Sequence, residues 1–389
     1  MIVIGGGVLG VTTAMLAAEA GRRTVLVELG AFGNGATGAW FRILHGGLRY
    51  LQKLDIKRLR TSSEETSWFL REFPQHTQHA PFLMPLYNEG LKRPNIFRAA
   101  FAANEVLTID HKLSVPAAAR IPAGRVLNAK DTIALFPGVR RSGLKGGALW
   151  TEVVAPDEGG LFNAMLARAE AAGVLAISGA EAHFLVTEGG ACKGVEVRAE
   201  DDLRRGLRLR GATVIIAAGA SGFSLAKRFD PLAPRGTNPA LGFNLLIDRP
   251  PLSQTRLSLV SEDGGSTLFF QPQGTQTFAG TWYEPWFDPD APIVASEASI
   301  QAFLQAIADV APALGATRAD VRLASAGLLP TTAAGGVELA ERDILHDHGV
   351  NGGPAGLFTA IGVKFTTARS LGTRALKASG LISAVSVLE

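Results

Sequence analysis

The feature that most constrains the fold of this chain is its glycine-rich start. Met1–Ile4 is a short apolar run, too brief for a helix and typical of a buried strand. It leads directly into Gly5-Gly6-Gly7-Val8-Leu9-Gly10, which matches the pattern G-x-G-x-x-G. Val11–Ala20, rich in alanine, leucine and threonine, predicts a helix that ends at Gly21. Strand, glycine motif and helix follow one another directly, which is the context in which this motif binds phosphate.

Each of the three glycines of the motif has a physical role in binding a dinucleotide. Gly5 permits the tight strand-to-helix turn, Gly7 lets a pyrophosphate approach the backbone, and Gly10 lets the helix pack closely on the strand. The first N–H groups of the helix attract phosphate. Glu28, which follows the predicted strand Thr24–Val27, can accept hydrogen bonds from a ribose 2′-hydroxyl. The pattern predicts an ADP-containing dinucleotide, FAD or NAD, over the alternative of an ordinary glycine-rich turn.

Composition limits the class of protein. A length of 389 residues favours two domains, and 47% apolar with 19% charged residues suffices for large cores. A net charge of +3 without a dense basic run argues against a nucleic-acid partner. Cys192 is the only cysteine, which excludes an internal disulfide and favours a cytoplasmic location. We expect no metal site, signal peptide or transmembrane segment, and the abrupt strand at Met1 predicts that a few upstream residues are missing.

The rest of the chain predicts an α/β protein with two interleaved units. Thr213–Ala217 predicts a buried parallel strand ending at Ala218-Gly219, where small residues allow a backbone to pass close to a ligand. Leu241 to Tyr283 consists of short alternating runs, which predict an antiparallel sheet. We therefore expect a Rossmann-type cofactor-binding domain and an interleaved α+β substrate or cap domain built on that sheet. The expected ranges are 1–80, 145–235 and 325–389 for the first domain, and 81–144 and 236–324 for the second.

Local patterns predict further elements. Gly189-Gly190 predicts a hairpin turn, and Gly264-Gly265 predicts another turn between strands. Arg204–Arg210 alternates as an edge strand would, although a solvated face is the favoured alternative. Ile56–Phe73 predicts a helix, and its stretch Ser62-Ser63-Glu64-Glu65 is expected on a solvated face.

Four segments, taken in order, carry a resemblance to one family. They are Gly5–Gly10 with Glu28; His45-Gly46-Gly47-Leu48-Arg49-Tyr50-Leu51; Val214–Ala220; and Gly362-Val363-Lys364-Phe365-Thr366-Thr367. Over nearly its whole length the chain resembles the FAD-dependent glycerol-3-phosphate dehydrogenases, within the wider D-amino-acid-oxidase-like group of flavoproteins. We expect no counterpart of the extra C-terminal helical domain of the longer bacterial members.

The resemblance implies an extended FAD, with its ADP on the first motif and its flavin under the antiparallel sheet. Ala36-Thr37 would lie at the pyrophosphate, and Ala218-Gly219 would also border the cofactor. Gly362 and the turn Lys364-Phe365-Thr366 would face the flavin N1/O2 edge. This edge gains negative charge on reduction, so N–H groups at a helix start and a nearby lysine would stabilise it.

The resemblance also implies substrate-binding residues. Arg49 and Lys364 would bind the anionic part of a small substrate, and Arg342 matches a further basic position; arginine suits carboxylate or phosphate as a fork, lysine as a point charge. Alternatively, Arg49 bridges backbone carbonyls and Arg342 belongs to a surface ion pair. Proton removal falls to His45, to Tyr50 or to water, although a structural role for His45 is slightly favoured.

Three positions depart from the family pattern. Leu329, in Gly327-Leu328-Leu329-Pro330, stands where the family has arginine, and Asn244 stands where it has histidine. Trp40-Phe41 replaces small hydroxyl residues. Because an amide cannot accept a proton as histidine can, the pocket is expected to be less basic, more apolar and differently equipped for proton transfer. These departures argue against glycerol 3-phosphate itself as the substrate.

The sequence thus predicts an FAD-dependent oxidoreductase that transfers hydride from a small anionic hydroxylated substrate to flavin N5. The alternative is an amine oxidase similar to D-amino-acid or glycine oxidase, since a neutral amine needs no strong base. A non-catalytic FAD-binding protein and an NAD dehydrogenase leave more motifs unexplained. Oxygen or quinone is the expected electron acceptor, and use of quinone would imply peripheral contact with the inner membrane surface.

Overall fold

The computed structural model describes residues 1–87, 90–199, 206–261, 267–288, 291–332 and 335–383. Within these ranges the strands and helices, in chain order, are β1 (Ile2–Ile4), α1 (Val8–Glu19), β2 (Val25–Val27), β3 (Ile43–Leu44), α2 (Ile56–Glu72), β4 (Gln78–Leu86), α3 (Pro94–Leu107), α4 (Ile109–Leu113), β5 (Arg125–Leu127), α5 (Ala129–Leu135), β6 (Gly146–Val154), α6 (Gly160–Ala171), β7 (Leu175–Ile177), β8 (Ala180–Glu188), β9 (Ala191–Ala199), β10 (Gly206–Arg210), β11 (Val214–Ile216), α7 (Gly222–Phe229), β12 (Ala240–Ile247), β13 (Arg256–Val260), β14 (Thr267–Gln273), β15 (Gln276–Pro285), α8 (Glu297–Val310), β16 (Val321–Leu329), β17 (Ile344–Asp347), β18 (Leu357–Ile361) and α9 (Ala368–Ala378).

A six-stranded sheet organises the first unit. Its order is β17-β18-β11-β1-β2-β7, parallel throughout except for the edge strand β17. Both faces are covered: Val3 and Ile215 pack in the core that contains α1, α6 and α9, whereas Ile2 and Val214 pack with α7 and the strands β8 and β9. Double-sided burial explains the continuous apolar runs of these strands. The Rossmann-type prediction is confirmed.

A three-stranded antiparallel sheet, β10-β9-β8, lies against this unit. Gly189 and Gly190 have φ angles of 58° and 77°, as a tight hairpin turn between β8 and β9 requires. The predicted hairpin is therefore confirmed. β10 confirms the edge strand over 206–210, with side chains that are mostly exposed. Residues 204–205 of that prediction, and the predicted turn Gly264-Gly265, lie outside the described residues.

The second unit is built on a larger sheet with the order β16-β12-β15-β14-β13-β4-β6-β3, in which β5 also pairs with β6. All of its pairs are antiparallel except β13 with β4. α8 crosses the sheet, and Phe303 contacts the rings of Phe243 and Trp282 at centroid distances of 5.7 and 5.5 Å. β3 and β6 come from ranges predicted for the cofactor-binding domain, so we propose that the two domains share these segments.

The solvated face predicted for the middle of α2 is wrong for Ser62 and Glu65, whereas the Glu64 side chain is 50% exposed. Ser62 and Glu65 are 2% and 1% exposed. Arg369, from α9, brings its Nη2 to 2.9 Å from both Glu65 Oε1 and Glu64 Oε1. This guanidinium supplies the counter-charge without which a buried carboxylate would be strongly unfavourable. Because Arg369 is distant in sequence, the local pattern of α2 could not reveal the pair.

Candidate active site

A cavity of about 1910 Å³ is lined by residues of both large sheets and of the start of α1. This volume is about twice the upper end of a typical small-molecule site, so it has room for a cofactor and a substrate together. Of the predicted site residues, Gly10 and Arg342 do not line it; all the others do. Those others are Gly5, Gly7, Val8, Leu9, Glu28, Ala36, Thr37, His45, Arg49, Tyr50, Ala218, Gly219, Gly362, Lys364, Phe365 and Thr366.

The glycine motif forms a cradle at one end of the cavity. Gly5 has a φ of +112°, and a Cβ there would lie only 2.5 Å from the carbonyl oxygen of Ala217 in the neighbouring strand segment. A Cβ at Gly10 would collide with the carbonyl oxygen of Gly5. Gly10 therefore acts by close helix–strand packing rather than by lining the cavity. Gly7 caps α1 without a side chain, which leaves the backbone at the helix start accessible.

Two side chains organise this end for a nucleotide. The Thr37 hydroxyl accepts a hydrogen bond from Val8 N–H at 3.0 Å, which ties the loop after β2 to the helix start. The Glu28 carboxylate accepts hydrogen bonds from Gly6 N–H at 2.5 Å and Gly30 N–H at 2.9 Å. A carboxylate has about four acceptor sites, so capacity remains for ribose hydroxyls. Cradle, helix start and acid together fit the ADP part of FAD.

The turn after β18 borders the middle of the cavity. Val363 N–H donates to Asp343 Oδ1 at 3.1 Å, and burial raises the pKa of Asp343 although this hydrogen bond and the Arg374 guanidinium oppose the rise. The Phe365 ring stacks on Trp40, with centroids 3.8 Å apart and an interplanar angle of 9°. The turn is thus fixed at its backbone and at its aromatic side chain, as a surface that orients a planar ligand must be.

Positive charge concentrates beside this turn. Lys364 Nζ donates to the Tyr50 hydroxyl and lies 4.5 Å from the centre of the Tyr50 ring, while Arg58 lies 4.6 Å from it. Arg49 and Lys364 are both exposed and line the cavity. Neither forms an ion pair with a carboxylate in the part of the chain that the structure describes. Two cations that lack a direct ion-pair partner in a concave site attract an anion.

A histidine and a carboxylate that both line the cavity lie close together. His45 Nδ1 lies 3.7 Å from Glu152 Oε1, with 40% of the histidine side chain and 9% of the glutamate side chain exposed. Glu152 is held by Gly46 N–H at 2.9 Å and by Trp150 Nε1–H at 3.0 Å. A fixed carboxylate beside an accessible imidazole is the arrangement of a general base and its orienting group. Glu152 was not among the site residues predicted from the sequence. Its one local signal was an acidic residue within an apolar strand.

Asn244, which stands where the family resemblance implies a histidine, lines the cavity and is held by two hydrogen bonds. It is 2% exposed; its amide donates to the Ala39 carbonyl at 2.7 Å and accepts from Thr281 Oγ1 at 2.8 Å. Gln271 likewise donates to the Phe41 carbonyl at 2.7 Å. These two amides fix the segment that carries Trp40 and Phe41 against the sheet. The chain thus uses this position for structure rather than for proton transfer.

The structure does not bring Arg342 to the other site residues. Its side chain is 80% exposed and lies 3.9 Å from Asp55 Oδ2, a carboxylate that Arg58 approaches to 2.6 Å. Leu329, in contrast, lines the cavity, as the departure from the family pattern predicts for a more apolar pocket.

Across the described ranges, no helix is long and apolar enough to cross a membrane. The same ranges contain no group of three or more His, Cys, Asp or Glu side chains that could hold a metal ion.

Known proteins share this architecture. A glycerol-3-phosphate dehydrogenase from Mycobacterium leprae is 27% identical over 380 residues, which are 97% of this chain and 62% of that protein. This chain therefore spans less than two thirds of that relative's length. The structure of glycerol-3-phosphate dehydrogenase from Bacillus halodurans, complexed with FAD, superposes with a TM-score of 0.72 at 22% identity, covering 97% of this chain and 64% of that one. Glycine oxidase from Bacillus cereus superposes with a TM-score of 0.65 at 18% identity, covering 97% and 94%.

The family match also covers nearly the whole chain. The sequence profile of the DAO family, described as FAD dependent oxidoreductase, matches residues 1–369. It thus includes the glycine cradle, the segment from His45 to Leu51 and the turn that carries Lys364, all of which border the cavity. This chain belongs to the DAO family of FAD-dependent oxidoreductases.

Proposed function

We propose that this protein is an FAD-dependent dehydrogenase or oxidase that oxidises a C–H bond on a hydroxyl-bearing carbon of an anionic substrate. One observation carries the proposal: Arg49 and Lys364 line the cavity that His45 also lines, and neither has a carboxylate as ion-pair partner among the described residues. The two relatives named glycerol-3-phosphate dehydrogenase support the same class of reaction, since their name describes oxidation of a hydroxylated anion.

The cofactor would be held along the cavity by the residues that fit it. When bound, FAD supplies a flavin that accepts a hydride at N5. The start of α1 and Glu28 would hold the ADP part, and Lys364 with the N–H groups near the start of α9 would provide positive potential at the flavin end. The residues along the middle would be Ala36, Thr37, Ala218, Gly219, Gly362, Phe365 and Thr366.

The substrate anion would be bound by two different cations. Arg49 can offer a fork of N–H donors to a carboxylate or phosphate, and Lys364 offers a compact charge. Tyr50 accepts a hydrogen bond from Lys364 Nζ, so its own O–H remains available to donate to the substrate. Arg342 is left out of this proposal because its side chain is 80% exposed beside Asp55.

His45 would take the hydroxyl proton as the hydride leaves the carbon. Glu152 would stabilise the imidazolium that forms and hold the ring in orientation, which makes Glu152 a positioning residue. Asn244 is excluded as a base both by its chemistry and by its two hydrogen bonds. The two electrons leave with the hydride, the proton remains on His45, and the product is a carbonyl compound.

The decisive experiment is an anaerobic titration of the FAD-loaded full chain with hydroxy acids, polyol phosphates and amino acids. A hydroxylated anion should bleach the flavin absorbance and yield a ketone or aldehyde. Arg49→Ala should raise KM at least about tenfold, with FAD still bound, because the substrate loses a charge-assisted hydrogen bond. Arg235→Ala is the matched control, since Arg235 is exposed and does not line the cavity. Unchanged kinetics in Arg49→Ala would refute the anion site.

A second candidate function is oxidation of an amine on the same scaffold. Asn244 in place of a histidine and the fold likeness to glycine oxidase favour it. The titration separates the two functions: an amine substrate releases ammonia after hydrolysis of its product, whereas a hydroxylated substrate releases none.

A further inference from the structure

The cavity continues beyond the polar site residues into an apolar branch. We define this branch by the side chains of Leu48, Met84, Ile96, Phe97, Ala100 and Trp150, all of which line the cavity. They come from the turn after β3, from β4 and β6, and from α3. These six side chains are uncharged, and Lys92, a charged residue that also lines the cavity, lies just before α3 in the chain.

One face of the larger sheet connects the polar end to the branch. Trp150 pairs across the strands with Phe82, and Ala148 pairs with Met84. Because alternate residues of a strand share a face, Glu152, Trp150 and Ala148 follow one another on a single surface. At about 3.3 Å per residue, the four-residue step from Glu152 to Ala148 spans roughly 13 Å. Ala148 itself is fully buried, but its cross-strand partner Met84 lines the cavity together with Glu152 and Trp150, so this surface changes from carboxylate to indole to thioether.

The wall of the branch is a helix face made of one isoleucine and three alanines. Ile96, Ala99, Ala100 and Ala103 all line the cavity and follow the spacing of one helix face. Phe97 and Phe101, on the same helix, are buried in one cluster with Leu86 and Ala148, and Trp150 packs against that cluster. The two phenylalanines thus anchor α3 on the sheet, whereas Ala99, Ala100 and Ala103 stay accessible at the cavity.

We propose that the substrate carries an apolar tail that occupies this branch. This inference rests on the proposed function and names its substrate class: an anionic hydroxylated compound with a straight hydrocarbon tail. The anionic head binds Arg49 and Lys364, the hydroxyl-bearing carbon lies near His45, and the tail lies over Trp150 against Ala100. Leu329 in place of arginine agrees with a substrate that has one charged end only.

Burial of the tail has a measurable consequence. Each methylene removed from water contributes about fourfold in affinity, so binding should tighten stepwise as the tail lengthens along the branch. A small polyol phosphate has no group to fill this space and gains nothing from it.

The test uses two series on the FAD-loaded full chain. Straight-chain 2-hydroxy acids from lactate to 2-hydroxyoctanoate are assayed for anaerobic flavin reduction. The matching carboxylates without a hydroxyl group, which cannot be oxidised, are titrated by calorimetry. We expect the dissociation constant to fall about three- to fourfold per added methylene in both series. Equal affinity for short and long carboxylates would overturn the tail proposal.

Variants locate the effect in the branch. Ala100→Trp should abolish the gain for long members and retain binding of lactate, and Ala100→Leu is the milder substitution should the first not fold. Ala102→Trp is the matched control, because Ala102 is exposed on the same helix and does not line the cavity. Equal losses for short and long members in both Ala100 variants would also overturn the proposal.

The outcomes distinguish the two levels of inference. Chain-length dependence of carboxylate binding without oxidation of any hydroxy acid keeps the tail proposal and refutes the proposed CH–OH chemistry. Oxidation of short hydroxy acids without chain-length dependence keeps the proposed CH–OH chemistry and refutes the tail proposal. If chain length affects only re-oxidation by quinones with tails of increasing length, the branch binds the electron acceptor and the tail proposal is wrong.

Discussion

Two histidine–carboxylate pairs in this molecule have the same chemical components and opposite surroundings. In the cavity, His45 lies 3.7 Å from Glu152 and is 40% exposed. In the interior of the cofactor-binding unit, His348 Nδ1 lies 2.6 Å from Asp230 Oδ2, and the two side chains are 0% and 3% exposed. The second ring nitrogen of His348 lies 2.9 Å from Thr359 Oγ1.

The difference shows which property makes a histidine available for chemistry. His348 uses both ring nitrogens, so the pair connects the end of α7 to the turn between β17 and β18 and has no position for a ligand. Burial alone would raise the pKa of Asp230, but hydrogen bonds from His348 and from Leu232 N–H outweigh it and hold the pKa below its ordinary value. His45 has a looser contact and an exposed ring, which a proton acceptor requires.

The largest expected effect is on catalysis in the cavity pair. His45→Ala should lower kcat by about 10²–10⁴-fold, because the hydroxyl proton loses its acceptor. Thermal unfolding and the FAD absorbance spectrum should stay unchanged, since the ring is partly exposed. Stopped-flow measurement of anaerobic flavin reduction checks this prediction. A decrease of less than tenfold would assign proton removal to Tyr50 or to water instead.

The interior pair should respond in the opposite manner. His348→Ala should lower the free energy of unfolding by about 3–5 kcal/mol, because Asp230 would be left buried and unpaired. Activity per folded molecule should be retained. Urea denaturation measures the loss, and the double variant His348→Ala/Asp230→Ala should lose less than the sum of the single variants. Additive losses would mean that the two side chains do not act as a pair.

A third pair, Glu65 with Arg369, shows the effect of burial on one titrating group alone, because the arginine stays charged throughout the pH range of the measurement. Burial raises the pKa of Glu65 to about 7 against the attraction of Arg369. The folded state therefore binds a proton more tightly than the unfolded state, whose glutamate titrates near 4.5. The contribution to stability is complete below pH 4.5 and is lost as pH rises through 7, by up to about 3 kcal/mol.

Asp230 should act with the opposite sign. Its folded pKa lies below the unfolded value of 3.8, so its contribution to stability is present above that value and is lost as pH falls further.

Chemical denaturation from pH 4 to 8 measures the effect of Glu65 on the free energy of unfolding, and Glu65→Gln should flatten the slope of that free energy against pH. A slope that persists in Glu65→Gln would attribute the pH dependence to other groups.

The three pairs also show what the sequence could predict. The glycine cradle was predictable because Gly5 and Gly10 act through local backbone geometry that no other residue permits. The cations of the cavity were predictable only through family resemblance. Glu152 was not predictable, because it reaches Gly46 across 106 residues through strand pairing whose register no local pattern encodes. The burial of Glu65 was mispredicted for the same reason, since its counter-charge lies on α9.

The smallest expected effect separates a positioning carboxylate from a purely structural one. Glu152→Gln should lower kcat about tenfold, because an amide holds Gly46 N–H as the carboxylate does yet cannot stabilise a charged imidazole. Glu152→Asp should partly restore kcat, because the shorter side chain keeps the negative charge. Glu158→Gln is the control, since Glu158 is 67% exposed and pairs with Arg42 outside the cavity. If Glu152→Gln instead lowers stability and Glu152→Asp restores no activity, then Glu152 serves the fold as Asp230 does, and the contrast between the two pairs disappears.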